Sequence, residues 1–304
     1  MQQKFDLRKK EMNKYQLIDS GVGEKLEQIG DIVVRRPDPE ALWPKGLPVE
    51  KWNEAMLSFD RVDSKTGVWK KKNVKGETAP DEWNIEHGGI TFVIKPTSFK
   101  HVGIFPEQIN NWEFVAKIIA DAKNKGSEAH SLKVLNLFGY TGGATIAAAK
   151  VGAEVTHVDA SKPVIEWAKE NAKQNNLSET AIRWIVDDAL QFAKREVKRG
   201  NKYDAIVMDP PAFGRGPDGE VWKIEENFLE LFNACVELLS DKPAFFIISG
   251  YASGYSALAF GNCLKEVEKK HGGTIEVLEL VLKESSSRGA LLPAGVTARW
   301  RNTQ

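Results

Sequence analysis

Apolar runs and amphipathic stretches alternate from residue 133 to the end of the chain. Runs with the dense apolar character of buried strands occupy 133–138 (KVLNLF), 154–160 (EVTHVDA), 182–189 (IRWIVDDA), 203–211 (YDAIVMDPP), 244–250 (AFFIISG) and 274–282 (TIEVLELVL). Stretches of ordinary helical length fall between them, at 142–151, 162–175, 190–199, 225–240 and 254–270. Such alternation predicts a parallel sheet with helices on both faces, a doubly wound α/β fold. After the sixth run only KESSSRGALLPAG precedes VTARW. That is too short for a crossover helix, so the last strand of a seven-stranded sheet is expected to return antiparallel.

Residues 13 to 105 follow another rhythm. Short apolar pieces (DIVVRRP, AMLSFDRV, GVWKKKNV, ITFVIKP) are broken by Pro37, Pro39, Pro44, Pro48, Pro80 and Pro96, which predicts short β-strands. Four of the nine tryptophans, Trp43, Trp52, Trp69 and Trp83, lie here, more than a linker would carry. Over 109–125, Trp112, Val115, Ile118 and Ile119 recur at helical spacing and predict an amphipathic helix leading into the second half. The expected organisation is a smaller β-rich substrate-binding domain over 1–105 and a mostly parallel, Rossmann-like sheet domain over 106–304. There is no internal repeat and no low-complexity segment.

Composition narrows the class. The 304 residues are 42% hydrophobic and 28% charged, which describes a soluble globular protein and excludes a disordered or fibrous one. Cys235 and Cys263 are the two cysteines, too few for a disulfide framework and, with five histidines, a poor basis for a four-ligand zinc site, so no metal centre is expected. No run approaches a membrane span, and charges interrupt the N-terminus where a signal peptide needs apolar residues. A cytoplasmic location is expected.

Forty-two basic side chains balance 42 acidic ones. Any basic surface must therefore be local. Residues 61–75 supply one, with Arg61, Lys65, Lys70, Lys71, Lys72 and Lys75 against Asp63 around Trp69. It reads equally as a phosphate-facing patch or as an edge strand guarded by lysines.

In a doubly wound sheet the ligand sits beyond the carboxyl ends of the strands, where strand order reverses. The first strand of the alternating half ends in Phe138-Gly139-Tyr140-Thr141-Gly142-Gly143, the second in Asp159-Ala160, the third in Asp187-Asp188. A glycine turn opening a helix and two acidic strand ends form a nucleoside-binding register. The glycines are spaced G-x-x-G-G, which departs from G-x-G-x-x-G and disfavours a nicotinamide cofactor. The fourth strand ends in Asp209-Pro210-Pro211-Ala212-Phe213. Two prolines remove two backbone donors and hold the chain extended, so a carboxylate and a carbonyl can accept N–H bonds from one planar group, and Phe213 can stack on it. The bland alternative is that the prolines end a buried strand.

At NLFGYTGG, HVDAS, VDDA and DPPAF the chain resembles class I S-adenosylmethionine-dependent methyltransferases, most closely a bacterial branch that includes 23S ribosomal RNA methyltransferases with a YTGG turn and a DPPxF motif. HVGIFPEQINNW at 101–112 is similar to that branch's segment before its catalytic domain. The resemblance covers residues 100 to 304. It implies S-adenosyl-L-methionine as cofactor, with Phe138, Gly139, Thr141 and Gly142 around its methionine part, Asp159 at the ribose, Asp188 at the adenine amine, Gln108 approaching from the preceding segment, and Tyr140, Ala160 and Asp187 as further residues of the cofactor site. It implies RNA, ribosomal RNA first, as substrate, and a base nitrogen as acceptor at Asp209, Pro210, Pro211 and Phe213.

Cytosine C5 chemistry would need a cysteine nucleophile after the fourth or fifth strand. Neither strand end carries one, and Cys235 and Cys263 sit at helical spacing among apolar residues. Arg215, in the loop after DPPAF, is a candidate for a substrate phosphate or carboxylate. The rival readings are methylation of a protein or small molecule, and a cofactor-binding nucleic-acid module without turnover. The sequence leaves the oligomeric state open.

Overall fold

Short strands joined by tight turns build the N-terminal part, as the broken apolar pattern predicts. A computed structural model describes residues 14–62, 66–124, 131–177, 181–251 and 254–303. These fall into two units, one of Met1–Glu107 with Val281–Ala294, the other of Gln108–Leu280 with Gly295–Gln304.

In the first unit, β1 (Tyr15–Gly21), β2 (Glu24–Ile29), β3 (Ile32–Pro37), β4 (Leu57–Arg61) and β5 (Gly67–Lys71) lie side by side in that order, with the short helix α1 (Val49–Trp52) between β3 and β4. A separate hairpin pairs β6 (Trp83–His87) with β7 (Ile90–Ile94). Its two-residue turn is Gly88-Gly89, both at positive φ, the backbone twist that a hairpin turn of this length demands. The sheet buries charge as well as apolar surface. Glu27 on β2 accepts from Arg36 Nε (2.6 Å) and Nη2 (2.7 Å) and from the Tyr15 hydroxyl (2.8 Å). Burial pushes the Glu27 carboxyl up, but the Arg36 and Lys25 charges outweigh it and hold it at about 2.

The second unit opens with α2 (Ile109–Asn124). There follow β8 (Lys133–Leu137), α3 (Gly143–Lys150), β9 (Glu154–Asp159), α4 (Lys162–Gln174), β10 (Ile182–Val186), α5 (Ala189–Arg199) and β11 (Ala205–Met208). A ribbon of β12 (Phe213–Arg215) and β13 (Val221–Lys223) leads to α6 (Ile224–Leu238), β14 (Phe245–Gly250), α7 (Ala257–His271), β15 (Thr274–Lys283) and β16 (Leu291–Arg301). The seven-stranded sheet has the order β10-β9-β8-β11-β14-β16-β15. The first five strands in that order are parallel, and β16 runs antiparallel to β14, as expected from the short final connection.

Two strands stop earlier than the apolar pattern implies, for identifiable reasons. β10 ends at Val186 because Asp188 leaves the ladder to cap α5, its Oδ1 accepting from Gln191 N–H at 2.9 Å, a cap worth about 1 kcal/mol. β11 ends at Met208 because Pro210 and Pro211 have no N–H to donate. Phe192, Phe232, Phe246, Phe260 and Trp300 are buried together in the core that the sheet and its helices share. No described helix is long and apolar enough to cross a membrane.

The connection KESSSRGALLPAG, expected as a loop, is about half strand. β15 and β16 extend into it, and Leu282, Leu292 and Ala294 pack with Leu17 and Ala41 of the first unit. Glu284, fully buried, accepts from the Ser20 N–H (2.8 Å) and hydroxyl (2.6 Å), and Arg288 bridges it to the equally buried Asp19 (3.0 Å). The first unit is therefore discontinuous in sequence.

Candidate active site

Strand order reverses between β8 and β11, so the turn after β8 and the DPPAF segment after β11 leave neighbouring parallel strands at the same edge. The turn is a run of left-handed residues: Phe138 has φ 55°, Tyr140 48° and Gly142 91°. Non-glycine residues rarely sit there, and strain of this kind is held in place only by surrounding bonds. The Gly139 N–H donates to the Val158 carbonyl (3.0 Å), the Tyr140 N–H to Asp159 Oδ2 (3.0 Å), and Asn171 Nδ2 to the Thr141 carbonyl (2.9 Å).

Glycine is needed in this turn for packing. A Cβ on Gly139 would lie 2.4 Å from the His157 ring, and one on Gly143 would lie 2.5 Å from Trp112. His157, buried on β9, meets the Thr145 hydroxyl at 2.8 Å, and Asn136 Nδ2 donates to that hydroxyl at 2.8 Å. Burial pushes the imidazole down to about 3, so it is neutral at physiological pH. His157, Thr145 and Asn136 carry no sequence signal for this role.

The acidic strand ends separate into different environments. Asp159 Oδ1 accepts from the Ser161 N–H (2.9 Å) while Oδ2 holds Tyr140, and burial pushes its carboxyl up despite those two bonds. Each oxygen keeps a further lone pair for a hydroxyl. Ala160 lies between Asp159 and the residue that precedes α4. Asp187 is occupied by an ion pair with Arg195. Asp188, buried, spends Oδ1 on its helix cap and leaves Oδ2 without a bond from the described residues.

Beyond β11, the Pro211 carbonyl accepts from Trp222 Nε1 (2.7 Å) and the Ala212 carbonyl from the Ile224 N–H (3.1 Å). The Pro210 carbonyl and Asp209 Oδ1 take no hydrogen bond among the described residues, so they are the open acceptors of the segment. Burial pushes the Asp209 carboxyl from 3.8 up to about 6. Gln108 Nε2 donates to Asp209 Oδ2 at 3.1 Å, which brings the residue singled out before the helix onto the DPPAF motif. Phe213 is exposed on β12, with Arg215 above its ring, so Arg215, expected in a loop, stands on a β-ribbon. Trp222, on the facing strand, is buried against Phe138 at 5.0 Å between ring centroids, a link between ribbon and turn that no motif announces.

Cys235 is fully buried and Cys263 partly, both free, and burial pushes both thiols up, Cys235 the further. A thiol so shifted is a poor nucleophile. In the first unit, Lys70 pairs with Asp60 (2.5 Å), Lys71 with Asp81 (2.6 Å), and Lys72 donates to the Asn53 carbonyl (2.9 Å). Asp60 and Asp81, which flank the basic cluster in sequence, thus offset part of it. Lys65 and Asp63 lie outside the described residues.

The donor and acceptor set fits a nucleoside with an amino-acid tail. Asp159 has lone pairs left that would take ribose hydroxyls, Asp188 Oδ2 would take an exocyclic amine, and the left-handed turn before α3 would face the tail with backbone. S-adenosylmethionine, expected from the resemblance, has these parts.

Residues 119–275, just over half of the chain, match the family described as conserved hypothetical protein 95. Among solved structures, the chain is similar to a SAM-dependent methyltransferase from Agrobacterium tumefaciens, with 40% identity, a TM-score of 0.86, and coverage of 94% of this chain and 90% of that one. It is 32% identical over 198 residues to ribosomal RNA large subunit methyltransferase I of Tolumonas auensis, covering 64% of this chain and 43% of that protein. It is 29% identical over 251 residues to ribosomal RNA large subunit methyltransferase K/L of Shewanella frigidimarina, covering 77% and 33%. The chain thus spans well under half the length of these curated relatives.

Proposed function

This chain belongs to the conserved hypothetical protein 95 family and is a class I S-adenosylmethionine-dependent methyltransferase, and on that premise we propose that its acceptor is RNA, ribosomal RNA first, methylated at a base nitrogen. When bound, the cofactor supplies a methyl group already activated on a sulfonium. The protein then has to hold the cofactor, place a nucleophilic nitrogen in line with the methyl, and let its proton leave.

Asp159 and Asp188 hold the nucleoside through ribose hydroxyls and the adenine amine, with Phe138, Gly139, Tyr140, Thr141 and Gly142 around the tail. Asp187 serves this pocket through its pair with Arg195, which keeps the β10 end in place. Asp209 and the Pro210 carbonyl accept the two N–H bonds of an exocyclic amine, so its lone pair stays directed at the methyl; Pro211 fixes the carbonyl's direction and Phe213 stacks on the base. The observation that carries this reading is the pattern of acceptor use after β11: the Pro211 and Ala212 carbonyls and Asp209 Oδ2 are bonded internally, whereas the Pro210 carbonyl and Asp209 Oδ1 take no bond among the described residues.

RNA is supported by the names of the relatives and by the exposed Phe213 and Arg215 beside Asp209. We assign substrate binding to the β-rich unit of Met1–Glu107 with Val281–Ala294 and transfer to the unit of Gln108–Leu280 with Gly295–Gln304, acting in the cytoplasm. The decisive experiment maps methylation on RNA from cells with and without the gene. A single modified base should vanish and return with the wild type but not with Asp209→Ala. An unchanged RNA map, with a methyl group lost from a protein or a metabolite instead, would overturn the RNA reading.

A further inference from the structure

Gln108 does not meet Asp209 in isolation. Its Oε1 accepts from Asn111 Nδ2 at 2.6 Å, and the other Asn111 N–H goes to the Ser249 hydroxyl at 3.1 Å. Asn111 Oδ1 in turn accepts from Arg299 Nε at 2.7 Å. Asn111 is 2% and Arg299 6% exposed, so neither side chain can satisfy itself with bulk water.

Carboxamides can be turned end for end, and their orientation follows from what their partners allow. A guanidinium cannot be turned in this sense, because it donates only. With Arg299 Nε–H at one end, Asn111 must face it with Oδ1, since a reversed amide would set donor against donor at 2.7 Å. Asn111 Nδ2 then faces Gln108, which must answer with Oε1. Gln108 Nε2 is thereby left pointing at Asp209. One buried donor on β16 dictates the sense of every bond up to the DPPAF carboxylate.

We propose that Arg299 is a positioning residue that, through Asn111 and Gln108, delivers an N–H to Asp209 Oδ2 and so keeps this carboxylate ionised and oriented with Oδ1 free for the acceptor amine. The inference rests on the reading of Asp209 as the acceptor-binding group. Without the relay Gln108 is free to turn its Oε1 toward Asp209, and two acceptors then face each other unless the carboxyl takes up a proton. A protonated Asp209 presents one donor where the amine needs an acceptor.

The charged groups along the relay are Arg299 itself and Glu276 on β15, 3.7 Å from Arg299 Nη1; the Phe114 ring lies 5.0 Å from the guanidinium carbon. Asp209 has burial as the cause of its shift and no charged neighbour contributing to it. A change at position 299 or 111 therefore reaches Asp209 through the amides.

The test is the titration of the Asp209 side-chain carbon by NMR in the full-length protein labelled at aspartate, its signal assigned by loss in Asp209→Asn. Asn111→Leu and Arg299→Met should each raise the midpoint by about one pH unit, the scale of one lost hydrogen bond to a charged acceptor. Arg299→Lys, which still offers only donors, should bring it back toward the wild-type value near 6. The acid limb of the methyl-transfer pH profile should move with it. An unmoved midpoint in folded Asn111→Leu overturns the relay, and should Arg299→Met fail to fold, Asn111→Leu carries the test alone. S-adenosylhomocysteine binding separates the two readings. If the wild type does not bind it, the methyltransferase reading fails; if it binds and Asp209 ignores positions 111 and 299, the relay alone fails.

Discussion

Replacing Asp209 by asparagine should abolish methyl transfer and stabilise the protein at neutral pH. The carboxyl is raised from 3.8 to about 6 because burial disfavours its charge, so the folded state prefers the protonated acid. A raised carboxyl contributes stability that is fully present below about 4 and is lost as the pH rises through about 6. A shift of this size corresponds to about 3 kcal/mol. Asp209 keeps partial contact with solvent, which screens part of it. The net penalty for the ionised side chain is about 2 kcal/mol.

Asparagine has the same shape, keeps an oxygen for Gln108, and carries no charge. At pH 8 Asp209→Asn should therefore melt roughly 4–8 °C above the wild type for a domain of this size. At pH 4 the two should melt together. Melting curves at unit intervals between pH 4 and 9 are the assay, with methyl transfer measured alongside. A difference that is flat with pH, or a variant less stable at pH 8, would refute the account of Asp209 as a carboxylate held against its environment. A stability gain coupled to lost function is the trade expected at a binding site.

Gly139→Ala should destabilise the fold by about 1–3 kcal/mol and weaken S-adenosylhomocysteine binding, because its Cβ would fall 2.4 Å from the His157 ring; urea unfolding and calorimetry check the two parts. Cys235→Ala and Cys263→Ala should retain methyl transfer, since neither thiol lies at a strand end and burial keeps both protonated; a folded but inactive variant would reopen cysteine-based chemistry. Arg288→Met should cost about 3 kcal/mol in urea unfolding, because it strands the buried Asp19 and Glu284 without their shared cation; a loss below about 1 kcal/mol would show that this cluster does not hold the hairpin tip in the first unit.

The doubly wound sheet was legible in the sequence because four of its parallel strands, β8, β9, β11 and β14, are buried on both faces and read as continuous apolar runs. The antiparallel end was legible for a simpler reason: thirteen residues of connection cannot hold a crossover helix. The glycine turn, Asp159, Asp188 and the DPPAF motif were legible because backbone chemistry writes them locally. Prolines stop a ladder, acids cap helices, and glycines mark turns, each within a few positions.

Other features required the chain to be folded. The sequence alone could not reveal that Gly139 exists to admit His157, that the Pro211 carbonyl is used up by Trp222, or that Asp60 and Asp81 pair with lysines of the basic cluster. Nor could it show that residues 281–294 belong with the N-terminal unit, or that Arg299 stands behind Gln108, 191 positions earlier in the chain. Strand order and side-chain direction bring these groups within hydrogen-bond distance, and local propensity is blind to both. Sequence by itself determined which strand ends place glycines, acids and prolines at the switch point; tertiary structure decided which acceptors remain free there, because in a buried site each donor is shared out among whatever residues the fold brings within about 3 Å.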